Sequence, residues 1–65
     1  MKLYEVPRFT KIRVIGDTTA PPDARKAFEN EILKFHHIDG MYSYCTDGNG
    51  DPVHLPAWQE VRLVK

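Results

Sequence analysis

The sequence predicts a mainly β domain, a small barrel of about five short strands with one short helix in its long first loop. Three observations favour this fold. Apolar and polar residues alternate before residue 16 and again after residue 32, Gly and Asp separate the later strands, and helix-forming residues lie between the two parts. With 65 residues, the range 1–65 is expected to form a single domain with a small core.

The first predicted strand covers residues 10–16. Ile12 and Val14 share the face that is expected to pack inward. Lys11 and Arg13 share the opposite face. A repeat of two residues is typical of a strand with one buried and one solvated side, so the pattern alone predicts this element.

Residues 17–31 are predicted to form a long loop that contains the helix. Residues 23–31 are rich in helix formers, and Ala24, Ala27 and Phe28 recur at the spacing of one helix face. We therefore predict one or two helical turns in this loop, with Phe28 as their anchor in the core.

Four more strands are predicted beyond residue 32, separated by three turns. The strands begin at Leu33, Met41, Val53 and Val61. The turns lie at Asp39-Gly40, at residues 47–51 and at residues 56–60. Gly40 suits a tight hairpin because such a turn needs a positive φ. Each of these strands is short, as expected for a small barrel.

Composition and charge limit the function classes. Lys+Arg and Asp+Glu both number 9, so the formal net charge is zero. This balance argues against a strongly basic nucleic-acid binder and against an acidic DNA mimic. The single cysteine excludes an internal disulfide, and no apolar stretch resembles a secretion signal or a membrane span. We therefore expect a cytoplasmic protein without a membrane partner.

The three histidines and the one cysteine raise the question of a metal site. A tetrahedral zinc site needs three or four converging ligands. The adjacent His36 and His37 would instead point to opposite faces of one strand. We expect His37 and Cys45 to face the core and His36 and His54 to lie on the surface. The sequence therefore predicts no metal and no cofactor.

No motif in the chain predicts an enzyme. Residues 47–51 imitate the start of a calcium-binding loop, but Pro52 and Trp58 stand where such a loop needs a glycine and a bidentate glutamate. Cys45 has no neighbouring base or electropositive setting that would activate a thiol. We therefore predict a polar hairpin turn, a packed cysteine and a protein that acts without catalysis.

The order of these elements resembles that of an SH3-like small barrel. In that comparison residues 10–16 are the first barrel strand, residues 17–31 are the long first loop, and Leu55 to Trp58 falls where the fold has a 3₁₀ turn. Met41 stands where peptide-binding members of the fold have a tryptophan. The resemblance therefore implies the fold and not the binding of proline-rich peptides.

The stretch from Phe35 to Val61 also resembles short, largely uncharacterised proteins encoded by tailed bacteriophages. The residues that carry this resemblance are HHIDGMYSYC at 36–45, Val53-His54-Leu55, Ala57-Trp58 and Glu60-Val61, together with Met1-Lys2-Leu3-Tyr4 and Pro7-Arg8. The resemblance implies an accessory protein that works in the cytoplasm of an infected host cell. It implies no catalytic residues.

The aromatic residues provide the leading functional hypothesis, a surface that binds and modulates a host or phage protein. Exposed aromatic residues near a sheet edge suit partner recognition. The predicted anchors are Tyr42, Tyr44 and Trp58. The full predicted surface consists of Tyr42, Tyr44, Pro56, Trp58, His36, His54 and Arg62.

Three alternatives stay open. In the first, the aromatic residues only form the core and a small second cluster. In the second, the chain is a weak nucleic-acid-binding barrel that stacks bases on aromatic rings. Its basic residues are then Lys2, Arg8, Lys11 and Arg13. In the third, the chain is a self-assembling structural protein, a homo-oligomer paired through an open edge strand.

Overall fold

Five antiparallel strands form one open sheet, with almost no helix. This architecture comes from a computed structural model that describes residues 1–16, 18 and 20–64. The strands are β1 (Thr10–Val14), β2 (Ile32–Asp39), β3 (Tyr42–Thr46), β4 (Pro52–Val53) and β5 (Val61–Leu63), and one 3₁₀ turn covers Leu3–Glu5. The prediction of a mainly β fold is confirmed.

The strand order in the sheet is β4-β3-β2-β1-β5. In this order β2 lies at the centre, and β5 returns to lie beside β1. Each neighbouring pair is antiparallel. Gly40 connects β2 to β3 in a tight turn, with a φ of 66°. A residue with a side chain is strained at that angle, which explains the glycine.

The turn between β3 and β4 is held by one carboxylate. Asp47 Oδ1 accepts hydrogen bonds from the backbone N–H groups of Asn49 at 2.8 Å and Asp51 at 3.0 Å. Asparagine and aspartate often close turns in this way. Residues 47–51 therefore form the polar hairpin turn that the sequence predicts.

The inward side of the sheet carries the core. All five strands contribute to it, and Leu3, Val6, Ala27 and Leu55 complete it from the connections. The strand residues of the core are Ile12, Val14, Leu33, Phe35, Cys45, Val53 and Val61. Burial of one such side chain stabilises the fold by roughly 1.5–3 kcal/mol, so a short list of residues holds the sheet.

The predicted helix at residues 23–31 is not found, and Phe28 is not an anchor. The described part of this loop contains only turns and irregular backbone. Phe28 is 72% exposed, whereas Ala27 is buried. Thr18 Oγ1 donates a hydrogen bond to the Ala27 carbonyl at 2.9 Å. That carbonyl would accept an intrahelical bond in a helix, so the side chain competes with helix formation.

The end of the same loop joins the sheet instead. The N–H of Asn30 bonds the carbonyl of Val14 at 2.8 Å, and the N–H of Val14 bonds the carbonyl of Glu31 at 3.0 Å. Asn30 has a φ of 67°, which no α-helical residue adopts. The backbone polar groups here are satisfied by β1.

Arg25 fastens the loop to the turn after β3. Its guanidinium contacts both carboxylate oxygens of Glu31, and Nη2 lies 3.1 Å from Asp47 Oδ2. The hydrogen bond from Arg25 holds the pKa of Glu31 below its ordinary value. Two distant segments are thus joined by one cation.

Nowhere in residues 1–16, 18 and 20–64 is there a helix with the length and apolar character that crossing a bilayer requires.

Candidate functional site

All three histidines of the sequence lie around the ring of Tyr44. The ring of His37 stacks on it with 5.6 Å between centroids. The rings of His36 and His54 meet it edge-on, at 5.2 and 5.8 Å. We name these four residues, together with Phe9, the histidine cluster. It lies on the outward side of β2 and β3.

A β-bulge in β2 brings the two adjacent histidines to the same tyrosine. Phe35 lies opposite Cys45, but the next paired residue, His37, lies opposite Tyr44. His36 is therefore the extra residue of the bulge, and the strand loses its simple alternation at this point.

The bulge overturns one prediction about the histidines. His37 was expected to face the core because strict alternation places it there, but it is exposed. His36 and His54 were expected on the surface, and they are half-buried against Tyr44. Hydrophobic patterning could not show this, because neither of two adjacent histidines is apolar.

Hydrogen bonds fix the two half-buried rings. His36 Nε2 lies 3.0 Å from Thr46 Oγ1, and His54 Nδ1 donates to the Ser43 carbonyl at 3.1 Å. In the part of the chain that the structure describes, no three His, Cys, Asp or Glu side chains are arranged to hold a metal ion. These hydrogen bonds and the Tyr44 ring together set the orientation of both imidazoles.

Phe9 extends the cluster towards a group of cations. Its ring meets His36 edge-on at 5.7 Å, and Lys34 Nζ lies 5.8 Å from its centroid. Phe9 is 64% exposed and has a φ of 63°. A bulky residue rarely adopts that conformation, so both its backbone and its exposure are unusual.

Four cationic side chains on the outward side of β1, β2 and β5 form a second group, which we name the basic face. Its members are Lys11, Arg13, Lys34 and Arg62. Lys11 lies directly opposite Lys34, and Arg13 lies directly opposite Arg62. All four are exposed, and none forms an ion pair with another described residue.

A groove of ≈ 400 Å³ adjoins the basic face. Lys11 and Lys34 line one part of it, and Thr46, Asp47 and Gly48 line another. Hydrogen bonds from Asp51, Asn49 and Arg25 outweigh partial burial and lower the pKa of Asp47. This carboxylate is already engaged by the turn and by Arg25.

A third group of side chains, which we name the apolar end, consists of Tyr4, Met41 and Trp58. Their exposed fractions are 61%, 65% and 52%. Backbone hydrogen bonds join the three segments, because the Tyr4 N–H bonds the Ala57 carbonyl at 3.0 Å and the Ala57 N–H bonds the Met41 carbonyl at 2.9 Å. Segments that are distant in the chain, such as those of Tyr4 and Ala57, thus become neighbours.

The residues predicted for a protein partner are divided between these groups. Tyr44, His36 and His54 come together in the histidine cluster, whereas Trp58 lies at the apolar end. Tyr42 is half-buried and pairs through its backbone with Pro56. Pro56 is itself fully buried.

Arg62, another residue predicted for the partner surface, lies well away from Tyr44. It is on β5, which the sheet order places three strand spacings from β3, or about 14 Å. It belongs to the basic face and not to the histidine cluster.

The residues predicted for nucleic acid are also divided. Lys11 and Arg13 lie together in the basic face. Lys2 Nζ lies 3.2 Å from Glu60 Oε1, and Arg8 is exposed in the turn before β1. Only half of the predicted basic set therefore shares one surface.

The predicted binding surfaces did not include Tyr4, Phe9, Met41 or Lys34. The alternation of β2 does signal an outward Lys34, and a methionine directly after the Asp39-Gly40 turn signals exposure. Tyr4 gives no local signal, because its position depends on a hydrogen bond to Ala57.

Cys45 is buried as predicted. It has no exposed surface, and burial raises the pKa of its thiol, while the nearby Ser43 hydroxyl opposes this shift. Ser43 Oγ lies 3.4 Å from Sγ. This is the environment of a packing residue, because a reactive thiolate needs a lowered pKa.

No protein-family model, no curated protein and no solved structure matches this chain.

Proposed function

We propose that this chain is a non-enzymatic binding module whose apolar end docks on another protein. One observation carries the proposal. Three adjoining segments each present a large apolar side chain that is more than half exposed, namely Tyr4, Met41 and Trp58. Large exposed apolar side chains on adjoining segments favour an interaction site.

The residue types support a protein partner. Tyrosine, tryptophan and methionine are enriched at the centres of protein interfaces, and tryptophan and tyrosine dominate binding hot spots. The apolar end combines all three.

Buried residues and hydrogen bonds also fix the backbone of the apolar end next to Trp58. Leu55 and Pro56 are fully buried beneath the turn that carries Trp58, and Ser43 bonds the Leu55 carbonyl through both its N–H at 2.7 Å and its hydroxyl at 3.1 Å. A backbone fixed before binding loses less conformational entropy when the partner docks.

We also propose that the sheet is an SH3-like small barrel. The order β5-β1-β2-β3-β4 and the long connection between β1 and β2 support this fold. The turn that follows Pro56 is at the position expected from the sequence comparison.

The origin of the chain is part of the same proposal. The stretch HHIDGMYSYC at 36–45, with Val53-His54-Leu55, Ala57-Trp58 and Glu60-Val61, resembles proteins of tailed bacteriophages. This resemblance supports an accessory protein that modulates a host or phage protein in the infected cytoplasm. The apolar end would act by occupying a surface of that protein.

Affinity capture from host lysate tests the proposal. The tagged chain is expected to retain one stoichiometric protein after nuclease treatment, identified by mass spectrometry. Trp58→Ala is expected to weaken capture by about 2 kcal/mol, roughly thirtyfold. Phe28→Ala is the matched control, because Phe28 is exposed but lies in the first loop.

A folded variant with Tyr4→Ala, Met41→Ala and Trp58→Ala that still captured the partner would refute the apolar end as the docking surface. If the native chain captures nothing and sedimentation shows a dimer that Trp58→Ala dissociates, the partner is a second copy of the chain.

A further inference from the structure

The basic face supports an inference that is separate from the protein partner. We propose that the basic face and the histidine cluster together bind single-stranded nucleic acid. The register of the sheet carries this proposal, because it sets Lys11 directly opposite Lys34 and Arg13 directly opposite Arg62. Phosphates lie along these cations, and bases lie on the adjoining rings.

The two like-charged pairs are unfavourable for the isolated fold. Like charges that face each other across antiparallel strands repel. Lys11 and Arg13 are two residues apart, about 6.8 Å along β1, so the two repulsive pairs are also neighbours. Local features that oppose stability are expected where a surface serves a function.

The carboxylates that could neutralise these cations are used elsewhere. Glu31 and Asp47 both contact Arg25, and Glu60 contacts Lys2. The formal net charge is zero, but the charge is segregated. A concentration of cations on one face attracts polyanions even when the whole protein is neutral.

Aromatic rings continue directly from the cations. Lys34 Nζ lies 5.8 Å from the Phe9 ring, Phe9 meets His36 at 5.7 Å, and His36 meets Tyr44 at 5.2 Å. Surfaces that bind single strands combine a basic path for the backbone with aromatic side chains on which bases stack. The exposed Phe9 provides the most accessible ring of this series.

The same features distinguish a single strand from other polyanions. A duplex keeps its bases stacked inside, so the rings of the histidine cluster would contact none of them. Direct readout of a duplex needs a helix or ribbon that enters the major groove, whereas the basic face is the outward side of a sheet. An acidic polypeptide would use the cations but has no need of the rings.

Fluorescence anisotropy with labelled oligothymidine and oligouridine of about 16 nucleotides tests the proposal on the full chain. If four phosphates are neutralised, a slope of about −0.7 for each predicts an affinity that falls roughly 50-fold between about 50 and 200 mM salt. Tighter binding of either oligonucleotide supports the proposal and identifies the nucleic acid as DNA or RNA.

Matched variants locate the binding surface. Lys34→Gln is expected to reduce the salt slope by about 0.7, whereas Lys26→Gln, which removes the same charge from an exposed loop position, is expected to leave it unchanged. Phe9→Leu keeps the charge but removes a ring, and is expected to weaken binding at least about fivefold. Lys34→Gln also removes repulsion, so unfolding cannot explain its effect.

Four results would overturn the proposal. These are an affinity that does not change with salt, equal losses for Lys34→Gln and Lys26→Gln, competition by polyglutamate as strong as that by the oligonucleotides, and tighter binding of a duplex of the same length. Trp58→Ala is expected to leave oligonucleotide binding unchanged, so this test and the partner capture fail independently.

Discussion

The apolar end and the basic face belong to the same chain, but they are built from different kinds of segment. The apolar end comes from connections, namely the 3₁₀ turn, the turn before β3 and the turn after Pro56. The basic face comes from regular positions on β1, β2 and β5. The first presents uncharged side chains of irregular segments, and the second presents cations at the fixed spacing of a ladder.

This difference determines how each surface can change. Side chains on connections can be replaced singly without moving a strand. The basic face depends on register, because a shift by one residue would turn Lys11 and Arg13 towards the core. The two surfaces also differ in the force that would hold a ligand. Salt weakens contacts between exposed charges, as at the basic face, and leaves apolar contacts, as at the apolar end, in place.

A core substitution is expected to break both surfaces at once. Leu33 lies in the core, on the face of β2 opposite Lys34, and Leu33→Ala should lower the free energy of unfolding by about 2–5 kcal/mol. Urea unfolding measures the change. The neighbouring Ile32→Ala, at a side chain 45% exposed, is the control and should cost much less. Equal effects of the two would contradict the inward assignment of Leu33.

A charge reversal on the basic face is expected to raise the stability of the fold and to weaken oligonucleotide binding, which would distinguish the basic face from the apolar end. Arg62→Glu replaces a repulsive pair with an attractive one opposite Arg13, and should raise the free energy of unfolding by about 1 kcal/mol. The same change should weaken oligonucleotide binding and leave partner capture intact.

Arg62→Gln is the matched control for that reversal, because it removes repulsion without adding attraction. Its stability and its oligonucleotide affinity should both fall between those of the native chain and Arg62→Glu. Thermal unfolding and anisotropy on the same samples would show this order, and a destabilised Arg62→Glu protein would argue against repulsion across β1 and β5.

The smallest expected effect concerns the Arg25 contacts beside the basic face. Because the pKa of Glu31 is lowered in the folded protein, its pair with Arg25 stabilises the fold above the ordinary glutamate pKa of about 4.3. That stabilisation is lost as the pH falls through the lower folded value.

Arg25→Gln should therefore cost about 0.5 kcal/mol at pH 7, where the pair is partly exposed, and almost nothing at about pH 2. Urea unfolding at the two pH values measures the difference between variant and native chain. A penalty that did not shrink in acid would contradict the ion-pair origin. At pH 7 the variant also releases Asp47, which lines the same groove as Lys11 and Lys34, so oligonucleotide binding should weaken.

The predictable parts of this fold are those set by local pattern. Ile12 and Val14 alternate with Lys11 and Arg13, which is enough to define β1 and its two faces. The glycine of Asp39-Gly40 marks the hairpin because only a residue without a side chain adopts its backbone easily. In both cases, the physical cause lies within a few residues.

The unpredicted parts depend on partners far along the chain. Ala27 replaces Phe28 in the core because Thr18 and Val14 bond the loop backbone. The bulge at His36 appears only when β2 pairs with β3. The apolar end joins Tyr4, Met41 and Trp58 through bonds across the fold, and no local pattern in the sequence reports them.

The segregation of charge described for the basic face also governs how the protein behaves during purification. A chain with equal numbers of acidic and basic residues would be expected to pass through ion-exchange resins near neutral pH. Four adjacent exposed cations give this chain a side that should bind sulfonate groups, so we expect retention on a cation exchanger despite the net charge of zero. Binding to the resin depends on the local charge of the surface that contacts it and not on the net charge of the chain.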